Sequence, residues 1–173
     1  MKQKWMKGTL IVLITLLAFE LGGAFYEWIV VASQWSSYPP QSFSILQGEY
    51  ALPLDSFWMP LHMVAQFVIV LSLILCWKDK QRRKFMLILV GLYIALRVPT
   101  FMYFIPELEF FRTTSTDTAW SQGMQDRADR WVLLSIGRTA IIAVSYVLAW
   151  MALSVSTLQT KVRLDNENVV GVN

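Results

Sequence analysis

The sequence has little charge, one cysteine and one histidine, and each scarcity excludes a class of protein. Of 173 residues, 16% are charged and 55% are hydrophobic, which is too apolar for an ordinary soluble domain. Cys76 is the sole cysteine, so the chain has neither an internal disulfide nor a Cys-x-x-Cys redox pair. His62 is the sole histidine, so two histidines of one chain cannot ligate a haem. The composition therefore predicts an integral membrane protein.

Four apolar stretches are long enough to cross a bilayer, whose hydrocarbon core of about 30 Å requires about 20 helical residues. They lie at 9–33, 58–77, 85–105 and 131–158. In hydrocarbon every backbone amide must be bonded within its own segment, and the stretches lack the alternation of barrel strands, so each is predicted to be a helix. The predicted fold is all-α, a single transmembrane domain over 1–173 arranged as a four-helix bundle.

The first apolar stretch also fits a secretory signal. Lysines precede an apolar run from Leu10 to Phe19, and Gly22-Gly23-Ala24 is compatible with a cleavage site. Hydrophobicity resumes at once from Phe25 to Val31, which makes the stretch long enough to span the membrane. We therefore predict a retained helix.

Basic residues are distributed unevenly between the connections, which predicts the orientation. The N-terminus has three lysines and no acid, and 78–84 has five basic residues against one acid. The connections at 34–57 and 106–130 carry more acids than bases. Because cytoplasmic loops are enriched in Lys and Arg, the prediction is a multi-pass protein of the cell membrane with two longer extracytoplasmic connections. Both termini are then cytoplasmic, including the tail with Lys161 and Arg163.

Two further patterns concern the membrane boundaries and the long connections. Tryptophan prefers the headgroup region, which places Trp5 and Trp77 at the cytoplasmic boundary and four others at the outer one: Trp28, Trp35, Trp58 and Trp131. Ser44 and Gln47 have capping-box spacing for a short helix. Asp117 is predicted to cap a helix that continues into the fourth span.

Ionisable side chains inside the spans are the main indication of function. A charge near the bilayer midplane costs about 2.5 to 3.5 kcal/mol on insertion scales, so each such residue indicates a structural or functional role that offsets the cost. At about 1.5 Å per residue, Glu20 lies near the midplane, and Glu27, His62, Arg97 and Arg138 lie in the outer half. All four helices contribute at similar depths. We therefore predict that the five side chains meet in one pocket nearer the extracytoplasmic side.

Helical spacing supports inward orientation of these residues. Glu20, Gly23 and Glu27 share one face, and Gly23 allows a neighbouring helix to approach closely. Pro99 is predicted to kink the third helix beside Arg97. The spans also contain three further polar residues that are not needed to fix the register of four helices: Tyr26, Gln66 and Tyr93.

The same residues allow other interpretations. Two glutamates and two arginines are able to form ion pairs that only fix the helix register. Glu20, Glu27 and His62 resemble a carboxylate-rich metal site, but the arginines would repel the ion, and no helix has Glu-x-x-His or His-x-x-x-His spacing, so no metal site is predicted. Any acid-base chemistry is expected to use His62, since its unperturbed pKa is nearest neutrality.

Four short stretches in the second half of the chain resemble a known membrane family. They are 97–100, 104–107, 127–131 and 138–139, which read Arg-Val-Pro-Thr, Phe-Ile-Pro-Glu, Arg-Ala-Asp-Arg-Trp and Arg-Thr. They are similar to the small four-helix family related to anthrone oxygenases, which is largely of unknown function. The resemblance implies a cofactor-poor oxidation of a lipophilic aromatic such as an anthrone or quinol. The chain departs from the family in having Arg97 for asparagine and Ile136-Gly137 for an asparagine-histidine pair.

Three classes of function remain open from these residues. In a small membrane enzyme or binding protein, His62 or a glutamate takes a proton from a lipophilic aromatic and Arg97 and Arg138 stabilise the anion. In a noncatalytic subunit or scaffold, the charges are structural ion pairs. A proton-coupled transporter is disfavoured by four spans without a repeat. The predicted partners are the lipid bilayer and a lipophilic small molecule, with no nucleic acid. A homo-oligomer is compatible with the sequence, and the cofactor is unknown.

Overall fold

The structure is a computed structural model that describes the backbone of residues 2–170 and the side chains of residues 3–155. Within these residues the chain is helical and contains no strand. Four helices are long and apolar enough to cross a membrane: Gln3–Trp35, Leu54–Cys76, Lys80–Thr113 and Gln122–Val155. The predicted all-α fold is confirmed, and the side chains of Lys161 and Arg163 lie outside the described residues.

The helices are labelled α1 to α6 in chain order. They are α1 (Lys2–Tyr26), α2 (Ser33–Trp35), α3 (Leu54–Cys76), α4 (Lys80–Pro99), α5 (Ile105–Thr113) and α6 (Gln122–Val170). A π-helical segment, Glu27–Ala32, joins α1 to α2, and a second, Thr100–Phe104, joins α4 to α5. α1 packs against α3 and α6, and α4 packs against α3 and α6. We call the end with the α3–α4 turn the hairpin end and the opposite end the connection end.

The third and fourth helices extend further than the predicted spans. The sequence predicts that the third ends at Ile105, but the chain stays helical to Thr113. Pro106 lies in the first turn of α5, where a missing amide hydrogen costs little. The fourth helix begins at Gln122 rather than Trp131. Helical chain therefore continues beyond the apolar stretches at the connection end.

The two capping predictions for the connections are wrong. A 3₁₀ helix, Gln41–Leu46, occupies the first connection, but Gln47 lies beyond its end and donates to the carbonyls of Phe111 at 2.8 Å and Thr114 at 2.7 Å. In the second, Asp117 caps nothing. The Ser121 hydroxyl accepts from the Met124 amide at the start of α6 instead.

The buried side chains form two clusters, one on each side of the bundle's polar layer. Towards the hairpin end, apolar residues of four helices pack together: Leu10, Leu13, Leu17, Ile69, Met86, Leu89 and Ala149. At the connection end, aromatic rings form what we call the aromatic cap: Trp35, Phe43, Phe104, Phe111 and Trp131. Trp35 and Trp131 are 0% and 3% exposed, so they belong to this cap and not to a ring of boundary tryptophans.

Arg82 belongs to the basic turn at 78–84 that predicts the orientation, but unlike an arginine that contacts lipid headgroups it is buried. Its side chain is buried, with Nε donating to the Ala152 carbonyl at 3.0 Å and Nη1 lying 3.2 Å from the Met6 sulfur. Asp79 caps α4 by accepting from the Gln81 and Arg82 amides at 3.1 Å. Arg82 thus joins the hairpin to the first and last helices.

Candidate functional site

The five ionisable residues predicted for the site line one small cavity between the four long helices. Glu20 and Glu27 come from the first helix, His62 from α3, Arg97 from α4 and Arg138 from α6. The cavity volume is about 30 Å³, and a water molecule requires about 10 to 15 Å³ measured this way. We call this space the charged cavity. The catalytic role of the five residues stays a prediction.

Glu20 is the centre of a hydrogen-bond network on one wall of the charged cavity. Its side chain is fully buried, and Oε1 accepts from the Tyr93 hydroxyl at 2.6 Å. The same oxygen lies 2.8 Å from His62 Nδ1. Since Oε1 is already an acceptor for Tyr93, we assign the hydrogen of that contact to His62 Nδ1, which leaves Nε2 as the free base.

The second carboxylate oxygen of Glu20 lacks a partner. Among the described residues, Oε2 is buried and has no hydrogen bond. Leaving a buried polar atom unsatisfied costs about 1 to 3 kcal/mol, and more if it is charged. Glu20 lines the charged cavity, so this unsatisfied acceptor lies on a residue beside that space.

The two arginines pack on aromatic rings and not on the glutamates. The Arg97 guanidinium lies 4.6 Å from the centre of the Tyr93 ring. That of Arg138 lies 4.1 Å from the Phe104 ring and 5.9 Å from the Trp131 ring. Such cation–π contacts hold the flat face of a guanidinium and leave its N–H edge free.

The ion pairs that would make these charges purely structural are not formed. Within the part of the chain that the structure describes, salt bridges join Arg82 to Asp79, Arg112 to Asp55 and Arg127 to Glu107, and the His62–Glu20 contact is an ion pair only when the histidine is protonated. Neither Arg97 nor Arg138 contacts a glutamate in this way. Arg97 Nε is buried without a hydrogen-bond partner, so two residues that line the cavity, Glu20 and Arg97, each have a buried polar atom without a partner among the described residues.

Gly23 allows the start of α3 to lie against the first helix, as its spacing predicts. A Cβ atom at Gly23 would lie 2.8 Å from Phe57 Cε1 and 3.1 Å from Trp58 Cη2. Trp58 in turn stacks on the His62 ring, with centroids 5.2 Å apart and planes inclined by 25°. The close approach at Gly23 thus positions the indole that flanks His62.

A larger space continues from the charged cavity towards one side of the bundle. It has a volume of about 220 Å³ and shares Glu27, His62, Arg97 and Arg138 with the charged cavity. It runs between α3 and the segment that includes α5 and its preceding π helix, and its apolar lining includes Met59, Met63, Phe101, Ile105 and Leu108. We call it the lateral cleft.

The predicted kink at Pro99 takes the form of the π-helical segment Thr100–Phe104. The Thr100 hydroxyl donates to the Leu96 carbonyl at 2.7 Å, so a side chain satisfies a backbone group near the interruption. Thr100 lines both the charged cavity and the lateral cleft. The irregular segment therefore forms one wall of the site.

Sequence reasoning missed several residues of the site. Trp58 and Trp131 line both spaces, although the sequence suggested boundary positions for them. Trp58 precedes His62 by four residues, and Ser135 precedes Arg138 by three, so helical spacing was the available signal. Tyr26, in contrast, is 63% exposed and does not belong to the cavity. Among residues 3–155, no three His, Cys, Asp or Glu side chains lie close enough together to hold a metal ion.

Comparison with protein-family models, with curated proteins and with solved structures finds no match for this chain. The resemblance to the family related to anthrone oxygenases therefore stays a prediction. The site is interpreted below from its own geometry.

Proposed function

We propose that this chain is a multi-pass membrane protein whose charged cavity binds the acidic hydroxyl group of a lipophilic aromatic molecule. In the proposed orientation both termini are cytoplasmic and the cavity lies nearer the extracytoplasmic side. The observation that carries the proposal is that two residues lining one buried space each have, among the described residues, a polar atom without a partner. Glu20 Oε2 lacks a donor, and Arg97 Nε lacks an acceptor.

An acidic hydroxyl group matches both unused groups. Its hydrogen can be donated to Glu20 Oε2, and its oxygen can accept from a guanidinium N–H of Arg97 or Arg138. As the O–H bond weakens, negative charge grows on an oxygen that faces two cations, which favours a phenolate-like state. Aliphatic hydroxyls are far less acidic than phenols, so the arrangement favours an aromatic ligand.

The scaffold alternative requires the charges to neutralise one another. Removing water from an ion is costly, and in a closed structural cluster each cation would contact a carboxylate. In the described residues both arginines contact aromatic rings instead, and Glu20 bonds to Tyr93 and His62. These contacts favour a site that keeps hydrogen-bonding capacity for a ligand.

The resemblance extends the proposal to oxidation of the bound aromatic. Dioxygen would be the oxidant, and one anthrone with one O₂ would yield one anthraquinone and one water. The reaction begins when the anthrone loses a proton, which gives an electron-rich anion. His62, held through Nδ1 by Glu20, presents Nε2 as the base, and the arginines would stabilise the anion.

Binding of β-naphthol to the purified protein in lipid nanodiscs tests the proposal. Replacing Arg138 removes a charge-assisted contact, which is worth about 1.5 to 3 kcal/mol or about 10- to 150-fold in Kd. We expect this loss for Arg138→Ala, and little change for Arg130→Ala, an exposed arginine on the same helix.

Mass spectrometry of small molecules that co-purify with the protein gives a second readout. We expect a lipophilic hydroxyaromatic in extracts of the wild type and its depletion in those of Arg138→Ala. Identical extracts, together with equal β-naphthol affinity, would contradict ligand binding and favour the scaffold.

A further inference from the structure

The charged cavity is closed towards both ends of the bundle and continues to one side. The aromatic cap covers the connection end, where Trp35, Phe43 and Phe111 are fully buried. Towards the hairpin end the cavity is followed by the tightly packed Leu13, Leu17 and neighbouring residues. Neither direction offers a path for a molecule larger than water.

The lateral cleft provides the path to the side. It shares its inner wall with the charged cavity, including both arginines and His62. Its outer rim is formed by Met59, Met63, Phe101 and Ile105, which are between 50% and 67% exposed. These side chains belong to helices long and apolar enough to cross a membrane, so in the bilayer their exposed surfaces would meet acyl chains. Flexible methionines also suit a surface that adapts to a ligand.

An ion pair crosses the cleft where it approaches the connection end. Arg112 Nη1 of α5 lies 2.9 Å from Asp55 Oδ2 in the first turn of α3. Asp55 and Leu108 line this part of the cleft. The two helices are thus tied together on the side of the connections, whereas the apolar rim further along has no such link among the described residues.

We infer that the ligand reaches the charged cavity from the hydrocarbon region of the bilayer through the lateral cleft. This inference rests on the proposed function. The hydroxyl group occupies the charged cavity and the apolar ring system occupies the cleft. At about 220 Å³ the cleft is smaller than the usual pocket for a drug-sized ligand, which is about 300 to 1,000 Å³. A larger ligand would therefore leave part of its apolar body between Met63 and Phe101, in contact with lipid.

The test compares access routes in nanodiscs, with β-naphthol and its sulfonated analogue as probes. Both carry the same acidic hydroxyl, but the sulfonate keeps its carrier out of hydrocarbon. Met63→Trp places a large ring on the rim of the cleft, and Ile74→Trp is the matched control, since Ile74 is 63% exposed on the same helix and lines neither space. We expect association of β-naphthol at least about tenfold slower for Met63→Trp, no change for Ile74→Trp, and association of the sulfonate with the wild type at least about tenfold slower than that of β-naphthol.

The outcomes separate this inference from the proposed function. If the wild type binds β-naphthol and both probes associate with Met63→Trp as fast as with the wild type, access through the cleft is refuted and the binding site stands. If the wild type binds neither probe, the proposed function fails first. Thermal unfolding of each variant reports folding, and Ile105→Trp on the opposite rim replaces Met63→Trp if that variant is unstable.

Discussion

Removal of a single hydroxyl group, in Tyr93→Phe, measures how strongly the Glu20 network holds the bundle together. The hydroxyl donates to Glu20 Oε1 at 2.6 Å, and both side chains are buried. A distance of about 2.5 to 2.7 Å is typical of a bond between a hydroxyl and an ionised carboxylate. The phenylalanine ring keeps the surface on which Arg97 packs, so the substitution isolates the hydrogen bond.

The expected loss of unfolding free energy follows from this geometry. A hydrogen bond to a charged group contributes about 1.5 to 3 kcal/mol, and burial on both sides removes solvent screening. His62 remains on Glu20 Oε1, which favours the lower half of that range. Tyr26→Phe is the matched control, because the same atom is removed from a largely exposed ring. A change below about 0.5 kcal/mol is expected there.

Equilibrium unfolding in mixed micelles, followed by tryptophan fluorescence and far-ultraviolet circular dichroism, supplies both values. Equal losses in the two variants would refute the reasoning, because they would mean that the Tyr93 hydroxyl finds an equivalent partner or that Glu20 is not an acceptor. A loss in Tyr93→Phe alone, together with weaker β-naphthol binding, would link the network to the site.

Three further results are expected. Nitrogen NMR of selectively labelled histidine, in protein without a histidine tag, should show His62 protonated on Nδ1, and protonation on Nε2 alone would contradict the assigned contact. Gly22→Ala should raise the unfolding free energy by about 0.5 to 1 kcal/mol, since a Cβ there meets nothing within 4 Å. Gly23→Ala should lower it by about 1 to 3 kcal/mol through overpacking, and changes of the same sign would contradict the close approach. Gln47→Ala should cost about 1 to 3 kcal/mol by removing the hydrogen bonds to the carbonyls of Phe111 in α5 and of Thr114 just beyond it, whereas a cost no larger than that of the exposed Gln34→Ala would contradict a contribution from these bonds.

Apolar length and helical spacing were sufficient to predict the helices and the residues that meet between them. In hydrocarbon the backbone amides must be hydrogen-bonded within their own segment, which leaves little choice of secondary structure. Charged side chains at similar depth on four spans avoid lipid by facing one another. Glu20 and Arg97 line the same cavity for this reason. The partner of each charge could not be predicted, because a guanidinium is able to pack on a carboxylate or on an aromatic ring.

Features that depend on distant residues could not be read from local patterns. Arg82 belongs to a run of basic residues that resembles a solvated turn, yet it is buried because Met6 and Ala152 meet there. Trp35 and Trp131 are of the residue type that is enriched at membrane boundaries, but the 3₁₀ helix and α5 pack over them and complete the aromatic cap. In each case the deciding neighbour lies far away in the sequence.

The energetics of the two arginines explain why ring contacts alone leave the site ready for a ligand. Placing each charge in the membrane costs about 2.5 to 3.5 kcal/mol on insertion scales, and a desolvated cation–π contact returns about 2 kcal/mol. The remaining cost of about 0.5 to 1.5 kcal/mol for each arginine would be offset by a carboxylate contact. Glu20 does not make that contact, because it is held by Tyr93 and His62. An acceptor oxygen that reaches Arg97 and Arg138 removes the same cost. In the proposed function, the stability that the fold forgoes by keeping its glutamates and arginines apart would become affinity for a ligand that bridges them.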